Sequence, residues 1–245
     1  MNYQAYIINL NGAVERWNHV QKNLNELDIP YVRIEGVHGD HLQHPIKNYA
    51  EKTYHIYNGK ATNVREIGCY FSHIKALTTF LETDDPYALI LEDDVTLPDE
   101  IISLLNGAIR YKESWDLLRL TSSRVGEYLV FGQLNGGYEI SYNIRVLKNT
   151  GAYFINRNAA KCCLEKMLPM YLPYDVALDQ EWKLGFKTAC ITPFPVQLEK
   201  EMPSQIPRAK RIRFYRSTTF HFFHIKTHIE RIFHRKRFFN QLKKG

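Results

Sequence analysis

The chain has 245 residues, 44% of them hydrophobic and 24% charged. That balance excludes wholesale disorder, collagen and coiled coil, and a chain of this length can bury a core without covalent or metal staples. The net charge of +6 is unevenly spread: from Arg208 onward twelve Lys and Arg stand against Glu230 alone, while the remainder holds 20 basic and 25 acidic residues.

In chain order, Tyr6, Ile7, Ile8 and Leu10 form a short apolar run suited to a buried strand, broken by Asn11-Gly12. Val14, Trp17, Leu24 and Leu27 then recur at helical spacing until Asp28-Ile29-Pro30, and Tyr31 to Glu35 reads as a second strand. This β-α-β unit predicts a parallel sheet with a right-handed crossover. Residues 36 to 65 are polar and read as loop with short helix. Ile67 to Leu81 has a helical apolar face. Tyr87 to Leu91 is a continuous apolar strand running into Glu92-Asp93-Asp94, and Pro98-Asp99-Glu100 opens another helix. Strands follow at Leu117 to Leu120, Tyr128 to Phe131, within Tyr138 to Leu147, and at Gly151 to Ile155. Asn158 to Leu168 is helical, Pro173-Tyr174-Asp175 leads into a further helix, and Thr188 to Ile191 is a late strand. The pattern predicts one α/β domain over 1–206 and a basic segment over 207–245.

Four scattered cysteines show no metal or disulfide spacing and read as reduced residues of a cytosolic protein. The opening residues lack the charged and apolar regions of a signal peptide, and no run approaches the ~18 apolar residues of a spanning helix.

Ligands of open α/β sheets bind beyond the carboxyl ends of the strands, where Glu92-Asp93-Asp94 falls. Three consecutive acids after a buried strand are costly unless a cation arrives, and Mg²⁺ or Mn²⁺ takes hard oxygen ligands while leaving positions for substrate phosphates. A solvated acidic turn ahead of a helix is the plain alternative. Dinucleotide, P-loop, zincin and serine-hydrolase signatures are missing.

Four segments together resemble glycosyltransferase family 25, the lipooligosaccharide galactosyl- and glucosyltransferases of Gram-negative bacteria. They are YIINLNGAVERW, REIGCYFSHIKAL, ALILEDDV and TGAYFINRNAAKCCLEKMLPMYLPYDVALDQEW, with a weaker echo in EMPSQI. The resemblance runs over about residues 3 to 206 and rests on the order and spacing of motifs that are each weak. It implies a GT-A-like fold, an open and mostly parallel sheet flanked by helices. The Asp-x-Asp motif of such folds maps onto Glu92-Asp93-Asp94, departing from the pattern by Glu at its first position.

What the resemblance implies is inverting transfer of a hexose from UDP-galactose or UDP-glucose to a lipid-linked oligosaccharide acceptor. Glu92 and Asp94 would hold the Mn²⁺ or Mg²⁺. Asn9, Leu10, Arg16, Gly36, Ser72, His73 and Asp93 would shape the donor site. His73 reads equally as a satisfied structural histidine, and Cys69 reads as core. The acceptor hydroxyl needs a base: Asp175 is the first choice, with Asp179 and Glu181 behind it. A helix starting near Asp175 would place Asp175 and Asp179 on one face.

In the basic segment Phe220, Phe222, Phe223, Ile225, Ile229, Ile232, Phe233, Phe238, Phe239 and Leu242 interleave with Lys226, Arg231, Arg235, Lys236 and Arg237. This reads as an amphipathic basic helical tail that holds a cytoplasmic enzyme peripherally on the inner face of the membrane, an anionic surface. Docking on the acidic body is the alternative. Two rival functions remain at this point: a metal-dependent phosphohydrolase using the same acids, and a nucleic-acid-binding protein acting through the tail, although no nucleic acid is the expectation.

Overall fold

A computed structural model describes residues 3–123, 126–199, 201–202, 205–207 and 209–242. The chain opens with β1 (Tyr3–Asn9), α1 (Val14–Glu26) and β2 (Tyr31–Glu35). The polar stretch after β2 contains α2 (Glu51–Asn58), followed by α3 (Val64–Leu81), β3 (Tyr87–Glu92), β4 (Val95–Thr96) and α4 (Ile101–Ile109). Then come β5 (Leu117–Arg119), β6 (Tyr128–Gln133), β7 (Glu139–Asn143), β8 (Ala152–Asn156) and α5 (Arg157–Lys166). The chain continues through α6 (Tyr174–Leu178), α7 (Glu181–Leu184), β9 (Thr188–Thr192), β10 (Gln197–Leu198), α8 (Arg213–Ser217) and α9 (Thr219–Leu242).

Eight strands form one sheet in the order β2-β1-β3-β8-β5-β9-β7-β6. β1 pairs in parallel with β2 and β3, and β5 with β9, while β8 and β7 run against their neighbours. Six of the eight strands therefore point one way, which is the open, mostly parallel sheet the sequence calls for. The unbroken apolar run of β3 has a direct cause. Leu89 and Leu91 enter the core on one face of the sheet, while Ala88 and Ile90 enter the core on the other, and all four are 0% exposed. Helix α3 covers the second face with Ile67, Tyr70, Leu77 and Phe80, and its first turn is capped by the Asn63 side chain accepting from the Arg65 N–H.

One local expectation is corrected: the helix after β3 starts at Ile101, with Asp99 and Glu100 before it rather than in its first turn. The helix at Asp175 ends at Leu178 with Asp179 as its C-terminal cap, and the Asp179 N–H donates to the Asp175 carbonyl at 3.2 Å, so the two acids stand one turn apart.

The basic tail is helical and packs on the body. Phe223 stacks on Tyr57 at 4.4 Å and Phe238 meets the Tyr142 ring edge-on at 5.0 Å. Arg231 and Arg235, expected on the outer basic face, turn inward and are 3% exposed. The side chains of Phe239 and Leu242, and residues Pro203 and Ser204 of the EMPSQI echo, lie outside the described residues.

Candidate active site

Parallel pairing brings the carboxyl ends of β1, β2 and β3 side by side, with Asn9 opposite Glu35 and Ile8 opposite Glu92. A cleft of about 280 Å³ opens there. Its walls are Ile8, Leu10, Gly36, Glu92, Asp93 and Asp94 from the strand ends, Arg16 of α1, and Arg65, Cys69 and Ser72 of α3, with Gln205 and Ile206 at the rim. Of the expected donor and metal residues, Asn9 and His73 do not line it, and both are buried behind it.

Asn9 is 1% exposed and acts as a brace. Its amide nitrogen donates to Asp93 Oδ2 at 2.6 Å and to the Ala13 carbonyl at 3.1 Å, while its oxygen accepts from Arg33 at 2.5 Å. Arg16 spans the next two acids, with Nε 2.6 Å from Asp93 Oδ1 and Nη2 2.6 Å from Asp94 Oδ2. Asn9 at the end of β1 and Arg16 in the first turn of α1 thus deliver both braces to the acids that follow β3.

Glu92 faces the other way. Its Oε1 accepts from His73 Nε2 and Thr150 Oγ1, both at 3.4 Å. A carboxylate can only accept, so Nε2 donates to Glu92, and the His73 Nδ1 shares a hydrogen bond with Tyr153 Oη at 3.2 Å. Tyr174 completes the relay through its hydroxyl, 2.9 Å from that of Tyr153, and its ring stacks on His73 at 4.1 Å. His73 thus acts on the cleft through Glu92. Ser72 also works indirectly: its Oγ accepts from the Val37 N–H at 2.8 Å and donates to the Gly68 carbonyl at 2.7 Å, fixing the loop that lines the cleft. Gly68 is required for that approach, since a Cβ there would stand 2.5 Å from the Val37 oxygen.

Three carboxylates face one guanidinium, and the titration of each reflects it. Burial raises the Asp93 pKa against the opposing pull of Arg16 and Asn9. Burial and the charge of Glu92 push Asp94 up to about 6 despite Arg16. Burial acts to raise Glu92 too, but the hydrogen bond and charge of His73, with Arg16, hold it below its ordinary value. For Arg16 the two aspartates outweigh burial and raise its pKa. Asp94 Oδ1 is buried with no hydrogen-bond partner among the described residues. An unmatched carboxylate oxygen, in a cluster short of positive charge and open to a cleft, fits a hard divalent cation. Cys69, His73 and Glu92 also bring ligand atoms within 4.8 Å of one another. That mixed set suits a softer metal, and burial with the surrounding carboxylates raises the Cys69 thiol well above its ordinary value.

The same electrostatic neighbourhood contains Asp175: after burial, the charges of Glu92, Asp175, Glu66 and Asp94 all bear on Cys69. Asp175 is partly exposed and accepts from the Asn149 N–H at 3.4 Å. Asp179 and Glu181, by contrast, are 1% and 2% exposed and face α9. Arg235 grips Glu181 through both oxygens, at 2.7 and 2.9 Å, and reaches Asp179 at 3.0 Å. Arg231 Nη2 lies 2.9 Å from Asp179 Oδ2, an ion contact without hydrogen-bond alignment. None of the three candidate bases lines the cleft; Asp179 and Glu181 are held in buried ion pairs with α9, and Asp175 is the partly exposed one.

Several contributors carry no sequence signal strong enough to single them out. Arg33 lies 4.6 Å over the Trp17 ring and orients Asn9. Arg65 pairs with Asp40 at 3.0 Å at the cleft wall. Asn149 takes a left-handed backbone (φ 78°) and its side chain accepts from the Gly151 N–H at 2.7 Å, which sets Thr150 against Glu92.

Residues 2–178 match the model of glycosyltransferase family 25, described as an LPS biosynthesis protein. Procollagen galactosyltransferase 1-A of Xenopus laevis is 24% identical over 135 residues, covering 50% of this chain and 21% of that protein. The chain thus spans about a fifth of that relative's length. Among solved structures, A197 from STIV aligns at a TM-score of 0.41 and 15% identity over 85% of this chain and 99% of that one. A glycosyltransferase involved in glycosylation of the major capsid of PBCV-1 aligns at 0.33 and 12% over 65% and 61%.

Proposed function

The chain belongs to glycosyltransferase family 25, and on that premise we propose that it transfers a hexose, galactose before glucose, from a UDP-sugar to a lipid-linked oligosaccharide of the lipooligosaccharide core. We infer inversion at the anomeric carbon and a requirement for Mn²⁺ or Mg²⁺. The observation that carries this reading is the set Asn9, Arg16, Asp93 and Asp94 at the mouth of three parallel strands, with one oxygen of Asp94 left over. The galactosyltransferase named among the relatives favours galactose.

In this reading the donor lies in the cleft with its diphosphate toward Glu92 and Asp94. Arg16 holds Asp93 and Asp94 in place, and the His73–Tyr153–Tyr174 relay holds Glu92. The acceptor hydroxyl oxygen bonds to the anomeric carbon, its proton passes to Asp175, and the bond from that carbon to the diphosphate breaks to release UDP. A divalent cation, when bound, offsets the charge that grows on the departing diphosphate. Asp179 and Glu181 serve to anchor α9. The acceptor's lipid places the work at the cytoplasmic face of a membrane, with the protein bound peripherally; among the described residues no helix is long and apolar enough to cross one.

The test is a nucleotide-sugar panel with Mn²⁺, Mg²⁺ or chelator, scored by UDP release with and without a core oligosaccharide acceptor. Acceptor-dependent UDP release from UDP-galactose or UDP-glucose that chelator abolishes is expected. Hydrolysis of simple phosphate esters with no acceptor-dependent UDP release would overturn the proposal.

A further inference from the structure

The docked tail leaves a second face, and its chemistry is the reverse of the first. Advancing about 100° per residue, Phe222, Ile225, Ile229 and Phe233 fall within an arc of about 80°. They are 72%, 61%, 49% and 73% exposed, an unusual density of large apolar side chains in contact with water. The opposite side of the same helix carries the buried Thr227, Arg231 and Arg235. Lys226, Lys236 and Arg237 are exposed: Lys236 falls within the arc of the stripe and Lys226 and Arg237 border one side of it, and the one acid of α9, Glu230, is occupied by Lys183 at 3.3 Å and Lys226 at 3.9 Å.

We propose that this outer face of α9 lies on an anionic lipid bilayer, with the Phe and Ile side chains among the acyl chains and the flanking bases at the headgroup phosphates. The inference deepens the lipid-linked acceptor reading and rests on it for the choice of membrane. Charge complementarity supports the occupant: apolar side chains bordered by bases match an anionic interface. Beside Phe222 a recess of about 380 Å³ has Lys183 and Lys226 in its wall, a place for a headgroup phosphate. The chain leads from the cleft to this face. Gln205 and Ile206 line the cleft rim, and the chain then pairs along Gly59–Ala61 through Ala61 N–H to the Lys210 carbonyl and Ile212 N–H to the Gly59 carbonyl, both at 2.8 to 2.9 Å, before α8 and α9.

The experiment is vesicle co-sedimentation of the full chain without donor, on phosphatidylcholine vesicles with and without phosphatidylglycerol. The triple variant F222S/I225S/F233S changes only exposed side chains, and transfer to a soluble acceptor is measured in parallel. Expected are binding to anionic vesicles that weakens from about 0.05 to about 0.5 M salt, at least about tenfold weaker binding by the variant, and unchanged transfer to soluble acceptor. Equal vesicle binding by wild type and variant overturns the inference, as does absence of binding by wild type. A wild-type dimer that the variant converts to monomer, with no vesicle binding by either, assigns the face to self-association and overturns it too. Since vesicle binding needs no donor, each of these results stands apart from the outcome of the nucleotide-sugar panel.

Discussion

Replacing Arg235 by Met should be among the most destabilising single changes in this protein. Arg235 is 3% exposed and its guanidinium serves five acceptors. Without it, Glu181 loses a partner at each carboxylate oxygen while remaining 2% exposed, and the Asn143 and Arg145 carbonyls lose a donor. Arg231 still faces Asp179, so the stranded charge is mainly that of Glu181. Removing one partner of a buried ion pair costs about 3–5 kcal/mol, because the remaining charge stays desolvated. For a chain of this size that lowers the melting temperature by about 6–20 °C. Urea unfolding with an unchanged slope gives the free energy directly. The double variant Arg235→Met with Glu181→Leu should regain at least half of the loss, since the unpaired carboxylate is gone. A loss under about 1 kcal/mol for Arg235→Met, the range of solvent-screened surface pairs, would refute the buried network and with it the docking of α9.

Three further outcomes follow from the cleft. Arg16→Lys keeps a positive charge but cannot span Asp93 and Asp94 together, so kcat/KM for the donor should fall at least about tenfold; unchanged kinetics would show the brace to be dispensable. Asp175→Asn should leave donor affinity within about twofold by calorimetry while lowering turnover by about 10² or more; full turnover would move the base elsewhere. Asp94 has a pKa of about 6 in the fold against 3.8 unperturbed, so protonation favours the folded state. In chelator, its contribution to stability is full below pH about 3.8 and lost as pH rises through about 6, a change on the order of 1–3 kcal/mol. The wild-type minus Asp94→Asn difference in urea stability should therefore decline with rising pH across that window; a flat difference would refute the raised pKa.

How much of this was legible in the sequence depends on how far each contact reaches along the chain. The run Tyr87–Leu91 announces a central strand because both faces of β3 are buried, so period-2 alternation disappears and only a fully apolar stretch satisfies both cores. The acids after it are legible as a site for the same reason: a strand of that kind ends at a sheet's carboxyl edge. Asp179 and Glu181 were not separable from Asp175 on sequence, since all three sit within one short acidic segment. What separates them is the docking of α9, with partners 54 and 56 residues away, and no local pattern reports the rotation of a distant helix. Asn149 is likewise silent. Its left-handed backbone is a conformation Asn tolerates, but Asn is common in ordinary turns, so the residue type alone does not mark the corner that aims Thr150 at Glu92.

The charge split also acquires a more specific meaning. A strongly basic tail beside an acidic body admits two uses, neutralising the body or addressing an external anionic surface, and a helix has enough faces to do both. Arg231 and Arg235 take the first use, where low dielectric makes each ion pair decisive for docking. Lys226, Lys236 and Arg237 remain outside, where each contributes little alone and several together favour an anionic surface. The apolar residues divide in the same way, Phe223 and Phe238 inward and Phe222, Ile225, Ile229 and Phe233 outward. This division explains why the helical periodicity of the tail looks diffuse: two apolar faces roughly opposite one another cancel in any measure that seeks a single one. Docking through buried ion pairs also fixes the outer face in orientation. On the proposed membrane reading, a face fixed in orientation on the body would hold the active site in a set orientation to the bilayer, which a flexible basic tail of the same charge would not do.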